Sequence, residues 1–250
     1  MGKRRWRRWG VGILVGAFFL IALCYASAGF GGGSSYTALL LLRGEEHEVI
    51  RMVSLACNLV VAGIGGWMSV RAQRVRGRLM GPLLLSSIPG TYLGAGITLG
   101  GAAFEVVLGS ALLVAGVLLL LNFRRAGEEG SVSPVVLVVL GAGLGLLAGV
   151  TGIGGGIYLV PVLHLLRVGP AKEVAAVGTW FIIVNSGVGL VTVGWHGGMV
   201  PLLDFAWLPA AVAAGGLMGA RILQGVFDGA WVCRVTGILV LGVALRVLLG

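Results

Sequence analysis

Charge is what this 250-residue chain has least of: 11% of its residues are Asp, Glu, Lys or Arg. A soluble domain is about a quarter charged, so too few polar residues exist to cover a water-facing surface. That excludes a soluble enzyme and a disordered scaffold. Carboxylates are scarcest, and Glu105, Glu173, Asp204 and Asp228 fall near the ends of apolar runs, not within them. A proton or sodium pathway usually needs a buried acid, so strict cation coupling is not written in the sequence. His164 reads as a helix-end packing residue. No Ser/His/Asp or paired-carboxylate arrangement exists for catalysis, and no enzymatic activity is expected. Cys24, Cys57 and Cys233 are odd in number, widely spaced and inside apolar stretches. Without CxxC or Cys/His spacing, neither a metal site nor a disulfide framework is expected, and no cofactor is implied.

What the chain has in excess is apolar surface and glycine. It is 58% hydrophobic with 46 glycines, against a usual ~7% glycine, and its mean hydropathy is +1.03. High apolarity with abundant small residues describes close-packed transmembrane helices. The expected fold is all-α and polytopic. Apolar runs cover 10–42, 49–70, 79–100, 103–123, 133–166, 174–195, 204–222 and 230–249, giving about eight crossings. The runs at 10–42 and 133–166 would each reach about 50 Å as one helix, and glycine runs interrupt both.

Net charge is +9, which in a soluble protein would raise nucleic acid as a partner. Here the basic residues sit in short hydrophilic gaps, so they read as topology-setting charge and no nucleic-acid partner is expected. Residues 1–9 form a basic terminus with Lys3, Arg4, Arg5, Arg7 and Arg8. The gap at 71–78 carries Arg71, Arg74, Arg76 and Arg78, and that at 124–132 carries Arg124 and Arg125. Eight crossings place all three on one side, the cytoplasmic face of a cell inner membrane, together with the carboxyl terminus. Ala26-Ser27-Ala28 after a basic start imitates a cleavable signal peptide, but the second half repeats this segment without a basic leader.

The chain reads as two copies of one unit, residues 10–125 and 126–250. Gly29-Phe30-Gly31-Gly32-Gly33 matches Gly152-Ile153-Gly154-Gly155-Gly156. Further on, Glu48-Val49 matches Glu173-Val174, Ser54 matches Thr179, Gly90 matches Gly215 and Gly94-Ala95 matches Gly219-Ala220. Four crossings per copy make the repeats parallel, related by an axis along the membrane normal. Duplication with interrupted helices is a transporter architecture, and the interruptions point to the site.

The glycine triplets have no preceding strand for a dinucleotide fold and no Lys-Ser/Thr for a phosphate loop. Gly63, Gly66, Gly141, Gly143 and Gly145 read as helix-crossing contacts. The triplets fit that role less well, because consecutive glycines cost a helix about 1 kcal/mol each. They read as breaks. The chain crosses part-way, unwinds, then starts a second half-helix at Ser34–Leu42 or Ile157–Leu166. Such a half-helix has unpaired N–H groups and a positive dipole end at membrane depth, left bare by glycine. Two of them facing each other form an anion site without buried cations.

Residues 149–163, running GVTGIGGGIYLVPVL, are followed by Val177-Gly178-Thr179 and later by Gly215-Gly-Leu-Met-Gly-Ala-Arg221. With its degenerate echo in the first copy, where Ala38 stands opposite Pro161 and Val53-Ser54 opposite Gly178-Thr179, the chain resembles the sulfite exporter TauE/SafE family. The resemblance covers nearly everything after residue 10. It implies transport of small sulfur-containing anions: sulfite, sulfonates, sulfoacetate or thiosulfate-like species.

The substrate-binding residues expected are Gly31, Gly32, Gly33, Ser34, Ser35, Thr151, Gly154, Gly155, Gly156 and Tyr158 at the loops, with Tyr36 as packing or pocket wall. Ser54, Thr179, Asn58 and Asn185 add hydrogen-bonding groups, and Arg51 and Arg221 attract or hold the anion. The expected activity is secondary transport of such an anion by alternating access. An uncoupled anion channel of the same fold and a membrane-embedded subunit of a larger complex stay open, as does a homodimer. The other partners expected are the anion itself and the lipid bilayer.

Overall fold

The computed structural model describes residues 10–27, 30–72, 77–121, 132–197, 205–223 and 229–249. No strand occurs among them. The helices are α1 (Val11–Ser27), α2 (Gly33–Arg43), α3 (His47–Arg71), α4 (Gly77–Gly96), α5 (Gly101–Leu120), α6 (Pro134–Thr151), α7 (Gly156–Leu165), α8 (Ala171–Gly197), α9 (Trp207–Met218) and α10 (Gly229–Leu249). A π turn, Gly219–Leu223, extends α9. Helices α3, α5 and α6 and the Lys172–Trp195 stretch of α8 are long and apolar enough to cross a bilayer.

Both glycine triplets interrupt helix, as their composition demands. Gly32 ends one break at φ +85°, and Gly152, Gly154 and Gly155 lie in the other at +70° to +79°. This left-handed region strains residues that bear a Cβ.

Side-by-side contacts set the helix directions. Gly141, Gly145 and Gly149 of α6 face the carbonyls of Leu83, Ser87 and Thr91 in the same order, so α4 and α6 run parallel. Thr91 meets Asn185 and Gly189 of α8, while Ala95 clusters with Val193, so α4 and α8 are also parallel. Helix α6 therefore runs the same way as α8, and α7 between them must turn back. In the first half, α1 runs parallel to α9, with Phe19 at Gly215 and Leu23 at Gly219. The Tyr25 hydroxyl bonds Ser35, and Phe18 stacks on Tyr36 with ring centroids 4.6 Å apart. Helices α1 and α2 thus lie flank to flank.

Each break is a hairpin and not a kinked crossing. The expectation that each broken run makes a single crossing, its second half-helix carrying on in the same direction, is corrected, because limbs of 17 and 18 residues traverse most of the depth themselves and leave a short limb only the way back. The parallel-repeat expectation falls with it. Gly65 of α3 meets Thr179 of α8 and Gly189 of α8 meets Leu55 of α3; Gly109 of α5 meets Leu248 of α10 and Gly116 meets Leu241. Helices α3 and α8 are antiparallel, and so are α5 and α10.

These directions put the start of α1, the turn at 44–46, the 97–100 loop and the end of α10 at one end of the bundle. The end of α3, the start of α4, the end of α5 and the start of α6 lie at the other. The helix ends that flank the gaps at 71–78 and 124–132 therefore lie at the end opposite the start of α1, which departs from the eight-crossing assignment. Residues 1–9, 73–76 and 124–131 lie outside the described residues.

Candidate functional site

Short limbs α2 and α7 begin at the hairpin tips. Their N-caps, Gly32 and Gly155, offer no capping side chain. Backbone bonding in α2 starts with the N–H groups of Ser35 and Tyr36 on the Gly32 carbonyl, and in α7 with those of Tyr158 and Leu159 on the Gly155 carbonyl. The N–H groups of Gly33, Ser34, Gly156 and Ile157 stand outside that ladder, at the positive ends of the helix dipoles.

The tips meet in the bundle's interior. Asn58, the twelfth of the 25 residues of α3, donates from Nδ2 to the Ile153 carbonyl at 2.7 Å. A Cβ at Gly33 would land 2.8 Å from that same carbonyl, and one at Gly154 would lie 3.1 Å from Asn58 Nδ2. Ile182, the twelfth of the 27 residues of α8, packs on Gly31, Gly154 and Gly156. Both short helices thus start half-way along their neighbouring long helix. Between them lies a cavity lined by Tyr25, Phe30, Gly31, Gly32, Gly33, Ser34, Asn58, Ile153, Ile157 and Ile182. It has room for about one water molecule.

Several expected residues converge here. Gly31, Gly32, Gly33, Ser34 and Asn58 line the cavity, and Gly154, Gly155 and Gly156 form the facing tip. The Ser34 hydroxyl and Asn58 Oδ1 are buried without a hydrogen-bond partner. Ser35 is held by Tyr25 at 2.9 Å, and Ser54 accepts a bond from Thr37 at 3.0 Å, one layer behind the tip. Thr151 ends α6 and bonds the Leu147 carbonyl. Tyr158 is fully covered in the α7 core. Thr179 donates back to the Ala175 carbonyl and touches Gly65.

Three residues take other places. Asn185 bonds Thr91 and the Phe181 carbonyl, within the α4–α8 contact. Arg51 is buried, and its guanidinium donates to the Ala95 and Gly149 carbonyls at 2.8 Å each, joining α3 to the last turns of α4 and α6. Arg221 is exposed on the π turn. None of the three lines the cavity. Sequence reasoning missed Ser186, whose buried, unpartnered hydroxyl would lie 2.6 Å from a Cβ at Gly154, and Tyr25. Nothing in the sequence singled out Ser186: it shares a helix face with Ile182, four residues earlier, but only the packed structure brings Ile182 to the tips.

The profile of the sulfite exporter TauE/SafE family matches residues 13–247. The chain belongs to this family. It is also 30% identical, over 93% of its length and 96% of the relative's, to a "probable membrane transporter protein y4hK" of Sinorhizobium fredii. No solved structure matches it. The protein is thus a multi-pass, all-helical member of a membrane-transporter family. The TauE/SafE-like stretch at 149–163 is the end of α6, the second tip and most of α7.

Proposed function

We propose that the protein is a secondary transporter of a small sulfur-containing oxyanion, of sulfite, sulfonate, sulfoacetate or thiosulfate type, working by alternating access in a cell membrane. The observation that carries this reading is the meeting of two uncapped helix N-termini at one buried cavity whose lining, among the described residues, includes no basic side chain. Such termini bind oxyanions through backbone N–H groups, and the family points to sulfur chemistry.

We read the chain as two repeats of five helices with inverted topology. Its packing is reciprocal: α1 lies on α9 as α6 lies on α4, and α3 pairs with α8 as α5 pairs with α10. An odd number of passes per repeat inverts the second copy, and a site at the repeat interface near the midplane is the usual companion of that design. A cavity the size of one water excludes a sulfur oxyanion until the tips part. This occluded geometry favours a carrier over an open channel.

Gly31→Ala tests the reading. Gly31 is not among the positive-φ glycines, so alanine fits the backbone. Its Cβ would meet the amide end of Asn58 and Ile182 and fill the cavity. The variant should stay folded while sulfite uptake into proteoliposomes falls by at least about tenfold, the equivalent of ~1.4 kcal/mol. Unchanged uptake would overturn the proposal. Saturation and counterflow in the unaltered protein separate a carrier from a channel.

A further inference from the structure

Resting on that reading, we propose that the site selects oxyanions that still carry a proton over fully ionised ones of the same shape, and that Asn58 is the residue that selects them. The amide's orientation is fixed. Nδ2 must be the atom at the Ile153 carbonyl, because the reverse would set two acceptors against each other. Oδ1 is therefore aimed at Gly31, where a Cβ would collide with it. It is buried, lies on the cavity and has no donor. Around it stand groups that serve an anion: the free N–H groups of the first turn of α2 and the unpartnered Ser34 hydroxyl. A ligand that satisfies the whole set accepts from these donors and gives one hydrogen bond back to Oδ1.

A monoprotonated oxyanion such as hydrogensulfite does both. A sulfonate or a fully ionised oxyanion places a second acceptor against Oδ1. Leaving that buried acceptor unpaired weakens binding on the order of ten- to hundredfold. The described lining holds no acidic side chain. Among the described residues, Tyr25 of α1 is the one titratable side chain on the cavity wall, and its hydroxyl is engaged with Ser35. The facing residues of α8, Ile182 and Ser186, are neutral, as are those of α2 and the second tip. Arg51, nearly two turns along α3, is held by the Ala95 and Gly149 carbonyls. The proton then crosses the membrane on the substrate, without a carboxylate relay.

Methanesulfonate and the methylphosphonate monoanion test this, since they share shape and charge but only the second has an O–H. Both are used as competitors of radiolabelled sulfite uptake in proteoliposomes, at a mildly acidic pH where methylphosphonate is singly charged. Methylphosphonate should compete at least about tenfold better, and in Asn58→Leu the two should converge. Equal competition in the unaltered protein overturns the inference while leaving oxyanion transport standing. Discrimination that persists in folded Asn58→Leu removes the role from Asn58. Absence of any sulfite uptake defeats the transport reading itself. Should Asn58→Leu fail to fold, the comparison in the unaltered protein still decides whether the proton is selected.

Discussion

Glycine does two jobs here, and neighbouring positions on one helix separate them. Gly145 faces the Ser87 carbonyl, where a Cβ would lie at 2.5 Å, whereas Gly143 has open space around it. Gly145→Ala must push α4 from α6 and should destabilise the protein by about 1–3 kcal/mol. Gly143→Ala only removes a poor helix former and should stabilise by up to about 1 kcal/mol. Thermal unfolding of the two variants in detergent checks the contrast, and equal melting would contradict the close approach. The sequence reading grouped both residues as contacts, because composition does not reveal which side of a helix meets a neighbour. The same blindness chose Asn185 over Ser186. One residue is about 100° of rotation, enough to move the amide to Thr91 and bring the serine to the tip.

Among elements, the two hairpins are held unequally. Helix α3 fastens the second one twice, by Asn58 at the tip and by Arg51 at the end of α6. At the positions of α8 that match these two in sequence stand Ile183 and Ala176, which offer the first hairpin no such bonds. Arg51 is a buried cation on the carbonyls closing α4 and α6, where helix dipoles favour positive charge. Arg51→Met keeps most of the volume but strands both carbonyls. It should cost about 1.5–3 kcal/mol, read as a lower melting temperature, while leaving the cavity lining intact. A loss of substrate affinity without loss of stability would instead make Arg51 a ligand. That the glycine triplets break helices was legible from their run length alone. The reversal of the chain was not: a limb of 17 residues fits a part-crossing or a hairpin arm equally well, and only the partner helix decides.

For the whole molecule, that one ambiguity propagates to sidedness. Counting each long apolar run as a single crossing gives four passes per half, parallel repeats and one face for all the basic gaps. Counting each as a hairpin gives five passes and an inverted second half, and it moves 71–78 to the face opposite the start of α1. The charge pattern could not arbitrate, because Lys3 to Arg8 and the arginines of the gaps are each strong topological signals that the hairpin count sets on opposite faces. Single cysteines at Gly10, Glu46 and Ala72, in a chain whose three native cysteines are alanine, distinguish the two counts. All three positions are exposed at helix ends. With a membrane-impermeant maleimide on oriented vesicles, Gly10→Cys and Glu46→Cys should label from one side and Ala72→Cys from the other. A continuous crossing through α1 and α2 would put Gly10→Cys with Ala72→Cys instead. That outcome would remove the hairpin of the first half and, with it, the meeting of the two helix N-termini on which the proposed oxyanion binding rests.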